Sequence, residues 1–104
     1  MKVLEKIKVE LQKLLGNELK EVILFGSRAN GTAMKDSDYD IVIILNKVEY
    51  DWIYNQKIYD IIYDIELEEN IFVDLHIISE KELDESLRGA QPFFQKAVKE
   101  GIYI

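Results

Sequence analysis

The sequence of 104 residues contains no cysteine, one proline, one histidine and one tryptophan. Without cysteine the chain can form neither a disulfide nor a thiolate metal site. Its longest apolar runs, "IVIIL" and "FVDLHII", are far shorter than the roughly 20 residues that cross a bilayer. The amphipathic amino terminus "MKVLEKIKVE" is not typical of a secretion signal. These absences predict a soluble protein of a reducing cytoplasm, with no membrane segment.

Basic residues are scarce, because 13 Lys and Arg stand against 20 Asp and Glu and leave a formal charge of −7. Affinity for nucleic acid comes largely from Lys and Arg that release counterions, so this balance makes direct nucleic-acid binding unlikely. It does not exclude a nucleotide held through a metal ion, since the cation offsets the local charge. The length predicts one domain over residues 1–104.

The spacing of apolar residues predicts alternating helices and strands. Helices are expected over residues 2–15, 28–30 and 50–69, after Ser79 and from Pro92 to Gly101, and strands over residues 21–25, 40–45, 71–78 and 102–104. Ser27 is expected to cap the short second helix, and Ser79 with Glu82 has the spacing of a capping box. The run from residue 40 to residue 45 is typical of a strand buried on both faces. The fold class is therefore α/β (α+β), with a small sheet and helices around it.

Gly26 and Ser27 follow the first predicted strand. A glycine after a strand, followed by a serine that opens a helix, lets backbone N–H groups point at an anion such as phosphate. A tight turn with an ordinary N-cap is the alternative. Gly26 and Gly31 have the spacing of P-loop glycines, but Thr32 and Ala33 replace the Lys-Ser/Thr pair that would hold phosphate and magnesium. The segment is therefore not a P-loop.

Asp38 and Asp40 point to the same face of an extended strand, about 6.5–7 Å apart. Two carboxylates so placed can bind one or two Mg²⁺ ions shared with nucleotide phosphates. The alternative is a solvated turn, which fits Asp38 better than Asp40, because Asp40 adjoins the apolar run. With Asp36 they match the first three ligands of a calcium loop, but Ile41 and Lys47 stand where that loop requires Gly and Glu.

Asp74 lies inside the strand predicted over residues 71–78, where an unpaired carboxylate is costly to bury. If this strand lies beside that of Asp40, Asp74 becomes a third ligand of the same cation cluster. The alternative is an Asp that accepts backbone hydrogen bonds or pairs with a basic residue. His76 is predicted to be a structural or rim residue rather than a ligand, because a magnesium site does not need it.

The order Gly26-Ser27, ten further residues, Asp38-x-Asp40 and a later strand Asp74 resembles the nucleotidyltransferase superfamily of the DNA polymerase beta type. The string "GSRANGTAMKDSDYDIVI" is similar to its smallest branch, the minimal nucleotidyltransferases encoded beside HEPN-domain toxins (the MNT/HEPN, or MntA/HepT, toxin–antitoxin pairs). The resemblance covers nearly the whole chain, although Asn30 stands where members commonly carry a basic residue. It implies a polymerase beta-like nucleotidyltransferase fold with a small mixed sheet flanked by helices.

Members of such pairs transfer AMP from ATP to a tyrosine of the HEPN toxin and silence it, so the resemblance implies an Mg²⁺-dependent antitoxin enzyme. Larger relatives carry an acceptor-binding domain that has no counterpart here, so the acceptor is expected to arrive with the partner, in a hetero-oligomer. Arg28 is expected to offset phosphate charge or to face solvent, and Ser37 to contact phosphate or to form the turn. The implied sites are a catalytic, metal-binding set (Asp38, Asp40, Asp74) and a nucleotide-binding set (Gly26, Ser27, Arg28, Ser37).

Two other functions fit parts of the sequence. One is a non-enzymatic antitoxin with a vestigial nucleotide site, which would bind its partner through the aromatic residues of the 50–69 helix: Tyr50, Trp52, Tyr59 and Tyr63. The other is a nucleotidyltransferase that acts on a small molecule or on RNA. The missing acceptor domain and the acidic charge balance disfavour the latter, and three costly carboxylates facing one spot disfavour the former.

Overall fold

A computed structural model describes residues 2–104. The helices are α1 (Lys2–Leu15), α2 (Ser27–Asn30), α3 (Trp52–Glu69), α4 (Glu80–Glu85) and α5 (Pro92–Glu100), and the strands are β1 (Leu19–Phe25), β2 (Tyr39–Leu45), β3 (Val73–Ser79) and β4 (Ile102–Tyr103). A 3-10 turn, Gly16–Glu18, joins α1 to β1. The predicted α/β class is confirmed. Within residues 2–104, no helix is long and apolar enough to cross a membrane.

The four strands form one mixed sheet in the order β3-β2-β1-β4. β1 runs antiparallel to β2, so the carboxyl end of β1 meets the amino end of β2, where Phe25 pairs with Asp40. β3 runs parallel to β2, so its amino end lies at the same place, and Asp74 pairs with Asp40. This topology brings three segments that are distant in sequence to one end of the sheet.

The sheet is covered on both faces. α1 and α3 pack on one face with Leu4, Ile7, Leu11, Leu15, Ile58, Ile62 and Ile65. α5 packs on the other, where Phe94 and Ala97 contact Ile23, Val42, Ile44 and Ile78. Ile41 and Val42 of the central strand β2 point to opposite faces and are 0% and 1% exposed. The prediction of a strand buried on both faces is therefore confirmed.

Local capping signals fix several element ends. Asp51 accepts a hydrogen bond from the N–H of Tyr54 and caps α3, which therefore begins at Trp52. The predicted start was residue 50. Asn70 ends α3 in the left-handed conformation, with φ of 54°. Ser79 and Glu82 form the predicted capping box at the start of α4.

Strand pairing extends the strands beyond the residues that periodicity selects. β1 starts at Leu19 rather than residue 21, because Leu19 pairs with Leu45 across an irregular step in register. β3 runs over Val73–Ser79 rather than residues 71–78. Ile71 donates its N–H to the carbonyl of Glu66 at the end of α3, and Ser79 pairs with Leu45. These boundaries depend on hydrogen-bonded partners, which a local pattern does not contain.

Candidate active site

The site lies where the carboxyl end of β1 meets the amino ends of β2 and β3. Asp40 and Asp74 are directly opposed in the parallel ladder, and the next pair on the same face is Val42 with His76. Asp38 precedes β2 by one residue. Asp38 and Asp74 are exposed, whereas Asp40 is half-buried. The strand of Asp74 therefore lies beside the strand of Asp40. This was the condition under which Asp74 was expected to join the cation cluster.

The three carboxylates influence one another. Burial raises the pKa of Asp40 above its ordinary value, and the negative charges of Asp74 and Asp38 raise it further. The neighbouring His76 acts on this pKa in the opposite direction. The cluster is therefore unfavourable for the folded protein as it stands and favourable for a cation.

Gly26 permits the close approach of its turn to Asp40. Its backbone has φ of 77° and ψ of −155°, a region that is essentially restricted to glycine. A β-carbon at this position would overlap Oδ2 of Asp40. Gly26 therefore serves both the shape of the turn and the placement of the Asp40 carboxylate, and the second role could not be read from the sequence.

Ser27 does not cap α2, so that prediction is wrong. Gly26 occupies the N-cap position and Ser27 is the first residue of the helix. The carbonyl of Gly26 accepts hydrogen bonds from the N–H groups of Ala29 and Asn30. The N–H groups of Ser27 and Arg28 belong to the first turn, where no intrahelical acceptor exists. They can donate to a ligand.

Arg28 is held by the loop that leads to Asp38. Its Nε donates to the carbonyl of Ser37 at 3.0 Å and its Nη2 to the carbonyl of Lys35 at 3.2 Å. The guanidinium carbon lies 4.1 Å from the ring centroid of Tyr39. These contacts hold Arg28 against the loop, and Arg28 also lines the cleft beside residues 35–37, so its predicted contact with phosphate stays a prediction.

Ser37 acts as a turn residue in this loop, which is one of its two predicted roles. Its Oγ accepts a hydrogen bond from the N–H of Met34 at 2.8 Å, and its own N–H donates to the carbonyl of Met34. Arg28 and Ser37 together fix the path of the chain into Asp38. The sequence contained the residues of this loop but not their contacts.

The donor set fits a hard divalent cation. Mg²⁺ prefers carboxylate oxygens, and a cation would relieve the repulsion between Asp40 and its two acidic neighbours. Within residues 2–104, however, no three acidic or histidine side chains already stand in a complete metal-binding arrangement. The binding of one ion by all three aspartates would therefore require a change in the orientation of their side chains.

His76 packs against α5. Its ring centroid lies 4.4 Å from that of Phe93, and its Nε2 is 3.3 Å from Oδ2 of Asp74. That nitrogen is buried, and within residues 2–104 it makes no hydrogen bond of acceptable geometry. The packing agrees with the predicted structural role of His76.

Two clefts are lined by residues that neighbour the aspartates in the chain or in the sheet, although neither is lined by Asp38, Asp40 or Asp74 themselves. The larger, of about 430 Å³, is lined by Phe25, Gly26, Ala29, Asn30, Lys96 and Glu100. The smaller, of about 200 Å³, is lined by Arg28 and by residues 35–37 and 70–72. Only the larger falls within the roughly 300–1,000 Å³ typical of small-molecule sites. Lys96 was not among the residues predicted from the sequence, because an exposed helical lysine has no local signal beyond its spacing of three residues from Phe93.

The fold and this site define a class of enzyme domain. The family model described as nucleotidyltransferase domain matches residues 4–103, so the chain belongs to that family. Comparison with curated proteins gave no match.

Three crystal structures of toxin–antitoxin complexes are similar to the chain. A toxin–antitoxin with AMP-PNP has a TM-score of 0.62 at 23% identity, over 95% of this chain and 70% of that chain. Two mutants of the toxin–antitoxin MntA-HpeT have TM-scores of 0.60 and 0.56 at 21% and 20% identity, over 92% and 96% of this chain and 68% and 69% of theirs. The likeness confirms the predicted polymerase beta-like nucleotidyltransferase fold.

Proposed function

We propose that this protein is an Mg²⁺-dependent nucleotidyltransferase that transfers AMP from ATP to a tyrosine of a HEPN-type toxin, and thereby acts as its antitoxin. The observation that carries the proposal is the meeting of Asp40 and Asp74 beside the glycine turn at Gly26. Family membership supports nucleotidyl transfer. The similar complex with AMP-PNP supports ATP as the donor.

Each part of the site has a chemical task in this proposal. Gly26 and Ser27 hold the β- and γ-phosphates through backbone N–H groups and the serine hydroxyl. Asp38, Asp40 and Asp74 hold Mg²⁺, which when bound offsets the charge of the phosphates and of the departing pyrophosphate. Arg28 and Ser37 hold the loop that presents Asp38, and a direct contact of either residue with the nucleotide stays a prediction.

Asp74 is the proposed proton acceptor. It is the more exposed member of the opposed pair, so an incoming hydroxyl reaches it from solvent. Asp74 takes the proton while the hydroxyl oxygen forms a bond to the α-phosphorus. The bond from the α-phosphorus to the oxygen that bridges to the β-phosphate breaks, and pyrophosphate leaves with the electron pair.

A toxin partner is supported by the toxin–antitoxin complexes that share this fold. One of the MntA-HpeT mutants carries glutamate in place of two aspartates two positions apart. Asp38 and Asp40 have the same spacing. We infer that they are the corresponding pair in this chain.

Label transfer tests the proposal directly. The protein is incubated with ATP labelled at the α-phosphate, Mg²⁺ and the product of the adjacent gene, and label on that product is measured. Asp38→Asn/Asp40→Asn should reduce transfer by about 10³-fold or more, because several kcal/mol of electrostatic stabilisation are removed. Asp36→Asn, an exposed neighbour outside the cluster, is the matched control and should leave transfer unchanged. Equal transfer by wild type and the double variant would refute the catalytic role.

A second candidate function, neutralisation by binding alone, is favoured by the outer face of α3. Four of its side chains lie on one outward stripe and remain exposed: Trp52 at 75%, Tyr59 at 44%, Tyr63 at 59% and Leu67 at 64%. Aromatic residues are enriched at protein interfaces. If the Asp38→Asn/Asp40→Asn variant still protects cells from the toxin, binding rather than transfer is the protective event.

A further inference from the structure

The predicted site residues include little positive charge for the phosphates of a donor nucleotide. Arg28 was the only basic residue among them, and its guanidinium already donates to loop carbonyls and lies over Tyr39. Asp38, Asp40 and Asp74 are acidic, and the proposed Mg²⁺ would offset only part of the negative charge that they and a triphosphate bring together. A second basic side chain at the site would therefore have a clear electrostatic task.

Lys96 of α5 is positioned for that task. It lines the 430 Å³ cleft together with Gly26, on the same side of the sheet as Asp40. Among the ion pairs formed within residues 2–104, none involves Lys96. Its side chain is exposed, so its ammonium group can reach a ligand without losing an existing partner.

Phe93 fixes where Lys96 lies. The two residues are three apart on α5 and therefore share a face of the helix. The ring of Phe93 meets that of Phe25 edge-to-face at 5.7 Å and lies 4.4 Å from that of His76. Phe25 immediately precedes Gly26. This aromatic contact holds the Lys96 turn of α5 beside the glycine turn.

We propose that Lys96 binds the phosphates of the donor nucleotide in the cleft beside Gly26. The proposal rests on the function proposed above, because it takes a nucleoside triphosphate as the ligand. Glu100 lines the same cleft four residues further along α5. In this order, with Lys before Glu, an i,i+4 pair is the weaker arrangement, so Glu100 competes only modestly for Lys96.

Binding of AMP-PNP with Mg²⁺ to the full chain tests the role of Lys96 without requiring transfer. In isothermal titration, Lys96→Gln should weaken binding by about 10-fold or more, because a charge-assisted phosphate contact is lost. Lys96→Arg should retain most of the affinity. Lys99→Gln, another exposed lysine on α5 that does not line the cleft, is the matched control and should change the affinity by less than about 2-fold. Glu100→Gln should leave binding equal or tighter.

Adenosine is the second probe, since it lacks phosphates. Its affinity should be the same for wild type and Lys96→Gln, whereas a variant with a damaged fold would lose both ligands. If Lys96→Gln binds AMP-PNP as tightly as wild type, or loses adenosine and AMP-PNP equally, the role of Lys96 is refuted while the proposed function stands. If wild-type protein binds no AMP-PNP with Mg²⁺, both proposals fail.

Discussion

The face of the sheet under α1 and α3 is lined by aliphatic side chains, whereas the face under α5 carries Asp40, Asp74 and His76 toward its open end. The helices that pack on the two faces differ in length. α1 and α3 have 14 and 18 residues, and α5 has nine. The longer helices bury one face thoroughly, and the shorter one leaves room for solvated carboxylates and a cleft. The face under α1 and α3 therefore has the larger cluster of buried apolar side chains, and the face under α5 leaves Asp74 exposed to solvent.

α3 repeats this contrast on its own two sides. Its inner side buries Ile58, Ile62 and Ile65 to 2% exposure or less. Its outer side exposes Trp52 and Tyr63, which α1 and the sheet do not reach. The inner residues are thus expected to determine stability, and the outer residues to matter for what the protein binds.

The largest expected effect separates the two sides of α3 at adjacent positions. Ile62→Ala should lower the free energy of unfolding by about 2–5 kcal/mol, because it leaves a cavity in the core. Tyr63→Ala should change it by less than about 0.5 kcal/mol, since Tyr63 is 59% exposed. Urea unfolding measures both. Similar losses for the two variants would show that the outer side is also packed, and would break the comparison.

A smaller effect is expected at the glycine turn. Gly26→Ala should destabilise the protein by about 1–3 kcal/mol and abolish transfer, because the new β-carbon overlaps the Asp40 carboxylate in a conformation reserved for glycine. Gly31→Ala isolates the backbone effect, since Gly31 also has positive φ, of 81°, but open space around its β-position. Gly31→Ala should therefore cost about 1 kcal/mol and retain transfer. Equal loss of transfer in both variants would contradict the role of the Asp40 contact.

The smallest expected effect is an increase in the free energy of unfolding rather than a decrease. The raised pKa of Asp40 means that the folded state disfavours its ionisation, so the contribution of Asp40 to stability is fully present below the ordinary carboxyl pKa. That contribution is lost as pH rises through the raised pKa. In metal-free buffer at pH 7, Asp40→Asn should therefore be more stable than wild type, by about 0.2–1 kcal/mol, the scale of opposed like charges in a sheet.

Lowering the pH sharpens this test. The gap between Asp40→Asn and wild type should close as the pH falls below the ordinary carboxyl range, where the aspartate is protonated in both states. Unfolding in urea with EDTA, at neutral and acid pH, gives the two values. Asp36→Asn is the control for net charge and should show no such gap, because Asp36 is exposed outside the cluster. An Asp40→Asn variant less stable than wild type at neutral pH would mean that the carboxylate supports the fold.

Much of the fold could be predicted because its signals are local. The buried β2 run, the Ser79–Glu82 capping box and the Asn70 helix end each depend on residues within a few positions of one another. The predictions that differ from the structure depend on contacts or conformations that the local pattern does not contain. Leu19 joins β1 because Leu45 faces it, and Ser27 does not cap α2 because the preceding glycine adopts a conformation that no pattern encodes.

The candidate site divides in the same way. Asp38 and Asp40 stand out because two carboxylates two residues apart adjoin an apolar strand, and Gly26-Ser27 stands out because it follows one. The contacts of Arg28 with the carbonyls of residues 35 and 37 could not be foreseen. They depend on the path of an irregular loop, which has no periodicity to read.

By itself, the sequence determined which elements form and which residues are candidates for the chemistry, because hydrophobic period, caps and turn residues act over short distances. Only the tertiary structure decided that Asp74 faces Asp40, since this requires β3 to lie parallel to β2 in one particular register across the whole of α3. It also decided that Lys96 lies beside Gly26, through the packing of Phe93 on Phe25. Such relations depend on how buried surfaces fit together, and a chain read residue by residue does not contain them.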